Sequence, residues 1–336
     1  MYKIHWPEKK SLLHRVALIT AFLTFLLICS GGLVTSKGVG MSVPDWPTTY
    51  GYNMFLFPFS RWVGGIFYEH SHRLLASGIG FLTVLLGVMT FFVERRRFVR
   101  WMALAAVIGV VLQGVLGGLR VTLYKDELGV FHAILAQSFF ALLVIFSAVT
   151  SRSFCEGCWY HDRNASSLRW LVIAGIVLIY FQLIIAATMR HSHLGLSIPD
   201  FPTAYGHFFP DISAQALAVI NQDRLVQGMM PTTAVQICLQ MIHRGGAVLL
   251  FGVVLLLVIR SRELLVSRHW ACSWAVLWGG LLVVQAILGI WTIWSNKAAD
   301  IATVHMALGA LMLGGAFLFA FRLFATSRLP EDQPAL

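Results

Sequence analysis

The chain has 336 residues, of which 58% are hydrophobic and 12% charged, roughly half the charged fraction of an average soluble domain. This composition excludes an ordinary soluble fold. The formal net charge of +10 would suit a nucleic-acid-binding protein, but the basic residues cluster in short segments between apolar runs, as in "ERRRFVR" at 94–100. We therefore expect a lipid bilayer around the chain and no nucleic acid as a partner.

Apolar runs of bilayer-spanning length recur along the whole sequence. Each is long enough to cross the hydrocarbon core as a helix, and too long and too uniformly apolar to be a barrel strand. The sequence therefore predicts an all-α membrane protein with eight transmembrane helices. The predicted spans are about 12–35, 69–93, 101–121, 129–150, 169–189, 237–260, 270–292 and 301–324.

The distribution of basic residues predicts the orientation. Most of the 25 Lys and Arg residues lie before the first span, after the last one, or in the segments that share their side of the membrane. The positive-inside rule then places both termini in the cytoplasm. The first span has no obvious cleavage site and no Arg- and Ser-rich transit peptide precedes it, so we expect a retained helix and a bacterial plasma (inner) membrane.

Two loop segments show that the chain is internally duplicated. "SVPDWPTTYG" at 42–51 returns as "SIPDFPTAYG" at 197–206, with seven of ten positions identical. Pro and Asp recur in both copies, which favours a fixed turn. A second repeat relates "QGVLGGLRVT" at 113–122 to "QAILGIWTIW" at 285–294.

The duplication predicts two tandem four-helix bundles of parallel topology. The first half is residues 1–150 and the second is 169–336, joined by a cytoplasmic linker at 151–168. Four spans separate equivalent helices, so equivalent residues lie at the same depth. Bundles of this size build cofactor sites from side chains on facing helices.

Four histidines recur at equivalent positions, one at the start of the second and one at the start of the fourth helix of each half. Two imidazoles on facing helices can supply both axial nitrogens to one haem iron. The pattern therefore predicts two haem sites. The first histidine pair is His72 and His132, and the second histidine pair is His243 and His305.

Other interpretations of these histidines stay open. They could form interfacial or interhelical hydrogen bonds, or belong to a zinc or copper site, which would need three or four ligands at one point. His70 aligns with Met241 and points about 200° away from His72 on a helix. We therefore choose His72.

Glu69 and the arginines that follow the histidines are further candidates. Glu69 precedes His72 by one helical turn, and its counterpart Gln240 cannot titrate, so the first half is the candidate for proton-coupled chemistry. An interfacial carboxylate, or a pair with Arg73, is the alternative. Arg73 and Arg244 also recur and are candidate partners for haem propionates, with simple snorkelling as the alternative.

The five cysteines give weaker signals. Cys29, Cys238 and Cys272 lie in predicted spans and should behave as small apolar residues. Cys155 and Cys158 form "CEGC" in the linker, where a single C-x-x-C is weak evidence for a metal. We expect unligated thiols there.

Taken together, these motifs resemble the haem A synthase family over essentially all eight spans. The resemblance rests on the "PDWP" and "PDFP" loops, "EHSHR" at 69–73, "LQGVLGGLRV" at 112–121 and the two histidine pairs. It implies that the C8 methyl of haem O is oxidised to a formyl group through successive hydroxylations and loss of water. The first pair would hold the haem O substrate, the second a haem b cofactor, and Glu69 would be catalytic. Many members carry a cysteine pair in an outer loop, whereas the outer segments 36–68 and 190–236 contain no Cys.

The resemblance also implies partners, and two alternative functions stay open. Haem O synthase and cytochrome oxidase assembly proteins are the implied partners, and a homo-oligomer stays open. A two-haem b-type quinol or ferric oxidoreductase would use four similar histidines without modifying its haem. A non-enzymatic haem carrier or assembly scaffold is the other alternative.

Overall fold

The computed structural model describes residues 8–155, 165, 167–192, 196–264 and 269–325. Eight long apolar helices within these ranges are capable of spanning a membrane, which confirms the predicted all-α fold. Shorter helices occupy the loops, among them a loop helix at Ala214–Val226. The spanning helices are α1 Glu8–Ser36, α2 Gly64–Val93, α3 Arg97–Thr122, α4 Glu127–Val149, α5 Arg169–His191, α6 Ala234–Leu264, α7 Trp270–Trp294 and α8 Ala299–Ala325.

The start of α2 corrects one expectation. The sequence places the helix boundary at the polar cluster that contains Glu69, with His72 at its mouth, but α2 already begins at Gly64. The apolar segment 64–68 continues the helix, and the polar residues after it are paired with a loop instead of facing water. His72 therefore lies about two turns inside the helix.

The helix contacts follow the predicted duplication. In the first half α1 packs on α2, α2 on α3, α3 on α4 and α4 on α1, and the second half has the same four contacts among α5, α6, α7 and α8. The halves meet where α1 and α4 contact α8 and where α4 contacts α5. Ile28, Phe140 and Ala310 form a small buried cluster at this seam.

Hydroxyl groups inside the spans are satisfied by their own helices. Thr20, Thr24, Thr83 and Thr90 are buried, and each donates a hydrogen bond to the carbonyl oxygen four residues earlier. Such pairing is required because the hydrocarbon offers no water to a polar group.

The two loops of the "PDWP" repeat have the same hydrogen bonds. Asp45 accepts from the Thr48 hydroxyl and from the backbone N–H groups of Tyr50 and Gly51. Asp200 accepts from the three equivalent groups of the second loop. In both loops the Tyr adopts a positive φ, 49° at Tyr50 and 53° at Tyr205. The repeat read from the sequence is therefore a repeat of structure.

These hydrogen bonds set the charge state of the two loop aspartates. Burial acts to raise the pKa of Asp45 and of Asp200, but the donated hydrogen bonds outweigh it, and each pKa lies below its usual value. The ionised aspartates stabilise the folded loops. This stabilisation is complete above the usual pKa of an aspartate and is lost as pH falls through the lowered pKa of Asp45 or Asp200. Both loops therefore keep it at neutral pH.

Replacing Asp200 with Ala should loosen the second loop, because three donors lose their shared acceptor. We expect protease cleavage within 197–206 to become roughly several-fold faster in detergent-solubilised protein. Asp211→Ala is the matched control, since Asp211 lies in the same outer segment and accepts a backbone bond only from Ser213. Equal cleavage of the two variants would contradict this role of Asp200.

Candidate functional site

His72 faces a glycine of the neighbouring helix α1. A Cβ atom added at Gly31 would lie 2.9 Å from Cε1 of His72 and 3.5 Å from its Nε2. Real Cβ atoms do not approach so closely. The imidazole of His72 can therefore occupy its position only because residue 31 is a glycine.

The fourth-helix histidines share one arrangement in both halves. A Cβ atom at Gly117 of α3 would lie 3.3 Å from Cε1 of His132, and one at Gly289 of α7 would lie 3.1 Å from Cε1 of His305. Gly117 and Gly289 are equivalent in the repeat. In each half, the imidazole of the fourth helix therefore packs against the equivalent glycine of the third helix.

The members of each histidine pair lie within range of each other's charge. The charge of His132 would act on His72, and the charge of His243 would act on His305. The described part of the chain contains no group of three or more His, Cys, Asp or Glu side chains that could hold a metal ion. Ligation of one iron by two histidines therefore stays the prediction for each pair.

Three glutamines that the sequence analysis did not select support the histidines. Gln113 donates to the carbonyl oxygen of His132 at 3.0 Å, and Gln182 donates to that of His243 at 2.9 Å. The backbone carbonyl of Gln285 lies 3.1 Å from Nδ1 of His305. A signal for two of them was present, because Gln113 and Gln285 open the repeated "QGVLG" and "QAILG" motifs.

The hydrogen bond at His305 identifies the nitrogen available to a ligand. A carbonyl oxygen only accepts, so Nδ1 of His305 carries the proton and Nε2 keeps its lone pair. Metal-bound histidines commonly donate their other N–H in this way. The paired histidines, with the glycines against their rings and the supporting glutamines, are therefore the residues that would hold a haem iron in each half.

Glu69 tethers α2 to the first repeated loop. Its side chain is buried, and Oε2 accepts a hydrogen bond from the backbone N–H of Val43 at 2.9 Å. Oε1 forms an ion pair with Nη2 of Arg73 at 2.7 Å. This is the i, i+4 pair that the sequence offers as the alternative role of Glu69. The carboxylate is therefore fixed one turn from His72 by a backbone donor and a cation.

Gln240 makes the equivalent tether in the second half. Its Oε1 accepts from the N–H of Ile198 at 2.8 Å, and its Nε2 donates to the carbonyl oxygen of the same residue at 3.1 Å. Ile198 is the counterpart of Val43. An amide thus suffices for the tether, and the carboxylate of Glu69 adds a charge that the tether does not need.

Arg73 and Arg244 hold the carbonyl oxygens of the repeated loops. Arg73 donates to Val43 at 2.6 Å, to Asp45 at 2.6 Å and to Thr48 at 3.2 Å. Arg244 donates to Asp200 at 2.6 Å and to the carbonyl equivalent to that of Thr48 at 2.9 Å. Both guanidinium groups therefore hold the loops, and Nε of Arg244 is buried without a hydrogen-bond partner among the described residues.

His70, which has no counterpart, points into the loop between α1 and α2. It is fully buried, its Nδ1 lies 3.1 Å from the hydroxyl of Thr49, and its ring packs on Phe57 and Trp62. This placement agrees with the choice of His72. Cys272 is buried and its thiol donates to the carbonyl oxygen of Ser261. Cys158 of "CEGC" lies outside the described residues.

Comparisons with known proteins agree with this arrangement. Residues 14–317 match the family described as cytochrome oxidase assembly protein. The chain is 25% identical over 305 residues to a protein named heme A synthase from Shouchella clausii, covering 90% of each chain. It is 28% identical over 270 residues to the heme A synthase of Caulobacter vibrioides, covering 76% of this chain and 72% of that one.

Replacing Gly31 or Gly289 with Ala should disturb the adjacent histidine, because the new methyl group meets the ring of His72 or His305. We expect part of the six-coordinate, low-spin haem signal of the affected pair to be lost in absorption and EPR spectra. Gly252→Ala is the control: no atom lies within 4 Å of its added Cβ, and it points about 180° from His243 on α6. A wild-type spectrum in Gly31→Ala would contradict the seating of His72.

Proposed function

Because the chain belongs to the cytochrome oxidase assembly protein family, we infer that it is a haem A synthase, an oxidoreductase that converts haem O to haem A. The chain is a multispanning membrane protein. The observation that carries the assignment is the family match over nearly the whole chain, together with its two histidine pairs on one duplicated scaffold.

We propose that the two pairs have different tasks. His72 and His132 bind the haem O substrate, and His243 and His305 bind haem b, which supplies electron relay when bound. The support for this division is the difference at one position, Glu69 against Gln240, beside otherwise equivalent histidines. Oxidising a methyl group moves protons, and the half with the carboxylate is equipped for that.

Glu69 is the proposed catalytic carboxylate. Val43 and Arg73 fix its two oxygens, so the group is oriented before substrate arrives. Arg73 also offsets the cost of a buried charge at this depth. Proton exchange at Oε1 or Oε2 beside the macrocycle edge is the role that Gln240 cannot perform in the second half.

We further propose a bacterial plasma membrane with both termini in the cytoplasm, haem O synthase as the supplier of substrate, and cytochrome oxidase assembly as the destination of product. The support for the orientation is the asymmetry of Lys and Arg. The halves 1–150 and 169–336 with the linker 151–168 remain a proposed division of the chain.

The orientation predicts that Cys155 and Cys158 face the cytoplasm. A membrane-impermeant maleimide should therefore fail to label them in intact cells and should label them after the cells are opened. Labelling before opening would reverse the orientation and place both histidine pairs near the cytoplasmic face.

Replacing His243 with Ala should abolish the low-spin haem b signal, because one axial nitrogen is lost. Reduced-minus-oxidised spectra of the purified protein measure this. His70→Ala is the matched control, since His70 contacts only loop and aromatic groups. Unchanged haem b content in His243→Ala would show that the second pair is not a haem site.

Replacing Glu69 with Gln should keep the fold, because Gln240 already makes the same tether with an amide. We expect retained haem b, a loss of most haem A, and accumulation of haem O or a hydroxylated intermediate. Chromatography of haems extracted from cells that also produce haem O synthase checks this. The reverse variant Gln240→Glu is the control and should make haem A normally; wild-type haem A in Glu69→Gln would remove the catalytic assignment.

A further inference from the structure

A cleft with charged side chains in its lining lies between the two halves, at the end of the bundle that carries the repeated loops. Its volume is about 120 Å³, and the C-terminal parts of α1, α3 and α5 contribute to it. The functional assignments above leave it without a role. The residues that line it are Thr35, Gly38, Gly40, Met41, Arg120, Asp126, Arg190 and His191.

Cations outnumber acids around this cleft. Arg120 pairs with Asp126 at 3.1 Å, and Asp126 is the one acid among the described lining residues. Arg190 donates to two neutral acceptors, the Gly32 carbonyl and the Ser36 hydroxyl, both at 2.5 Å. Burial, and then the charge of Arg190, lower the pKa of the neighbouring loop residue Lys297.

Three buried nitrogen atoms of the lining have no hydrogen-bond partner. They are Nε of Arg120, Nε of Arg190 and Nδ1 of His191, a side chain that is only 7% exposed and packs on Gly129. Buried donors are normally satisfied by protein, water or ligand. Together with the excess of positive charge, they indicate an anionic ligand.

The cleft lies next to both histidine pairs. Arg120 is one helical turn beyond Gly117, the residue that seats His132, and on the same helix face. Its charge acts on both His72 and His132. The charge of Arg190 acts on His305. The cleft and the first histidine pair are therefore linked through α3, which carries both Arg120 and Gly117.

The two arginines are not part of the duplicated scaffold. Arg120 aligns with Thr292, and Arg190 aligns with Thr35. Thr292 bonds the Leu288 carbonyl of its own helix, so the second half seats its fourth-helix histidine without a cation at this position. The arginines thus add positive charge that the positioning of the histidines does not require.

We propose that the cleft is a carboxylate-binding subsite in which Arg120, with Arg190 beside it, receives a propionate of the macrocycle held by the first histidine pair. This rests on the proposed function. A guanidinium offers a carboxylate paired N–H donors, and its charge strengthens each bond in a half-buried setting. Arg120 would then select ligands with a free carboxylate and fix the rotation of the macrocycle about the iron axis.

The test compares two probes, haemin and haemin dimethyl ester, which differ only at the propionates. Each is titrated into purified full-length protein, and binding to the first pair is taken as the absorbance change that His132→Ala abolishes. Wild type should bind haemin about tenfold more tightly than the ester, as expected for a charge-assisted contact. Arg120→Thr, which copies the second half, should bring the ratio near one and leave ester affinity unchanged.

Arg120→Lys keeps the charge and should retain part of the preference for haemin over the ester. This variant, and an intact haem signal from the second pair, control for misfolding of the Thr variant. An unchanged haemin-to-ester ratio in Arg120→Thr would overturn the proposal. So would an equal loss of both probes, as expected if the cleft instead held a lipid phosphate or served only the fold. Absence of any binding that depends on His132 would instead refute the proposed function.

Discussion

The tether between the second helix of each half and its "PDxP" loop is the interaction on which the rest of the site depends. In a bilayer, loop carbonyls and N–H groups near the helices need partners. Residue 69 or 240 binds the backbone of residue 43 or 198, and the following arginine binds further loop carbonyls. The loop is thereby fixed to the helix turn that carries the histidine, which sets the depth of that histidine and covers it.

The same scaffold, built twice, makes the differences between the halves informative. Both halves seat a fourth-helix histidine on a glycine, and both tether the loop with a buried side chain. The first half alone has a carboxylate in the tether, and the cations Arg120 and Arg190 gather at the seam beside it. These additions all concern charge. Glu69 and Arg120 lie beside the first histidine pair, whereas Arg190 lies on α5 of the second half and its charge acts on His305. The carboxylate of Glu69, where the second half has the amide of Gln240, is the difference from which we propose chemistry in the first half and electron relay in the second.

Much of this could be predicted from the sequence because the bilayer imposes a strong pattern. Runs of about 20 apolar residues fix the helices, and the repeated "PDWP" segment fixes the equivalence of the halves. The pairing of Glu69 with Arg73 follows from i, i+4 spacing. The start of α2 was misplaced because charged residues usually mark a helix end in a membrane, whereas here they are paired inside it. The cleft could not be predicted, since Arg120, Asp126 and Arg190 are brought together only by contact between the halves.

Repetition also separated the two histidines of "EHSHR". His72 has a counterpart and faces α1, whereas His70 has none and is buried under Phe57 and Trp62. The role of the glutamines was less visible, because each contacts a histidine on another helix, at separations of 19, 20 and 61 residues along the chain. Arg73 and Arg244 donate hydrogen bonds to the loops, and their predicted role as propionate partners stays a prediction.

The central claim is that one site holds a haem that is being modified while the other keeps its haem unchanged. Extraction and chromatography of the pigments from the purified protein, produced together with haem O synthase, test this most directly. The account predicts haem b together with haem A, haem O or hydroxylated intermediates, with the modified haems lost in His132→Ala and haem b lost in His305→Ala. Haem b as the single pigment, held equally by both pairs, would contradict it and indicate an electron-relay protein.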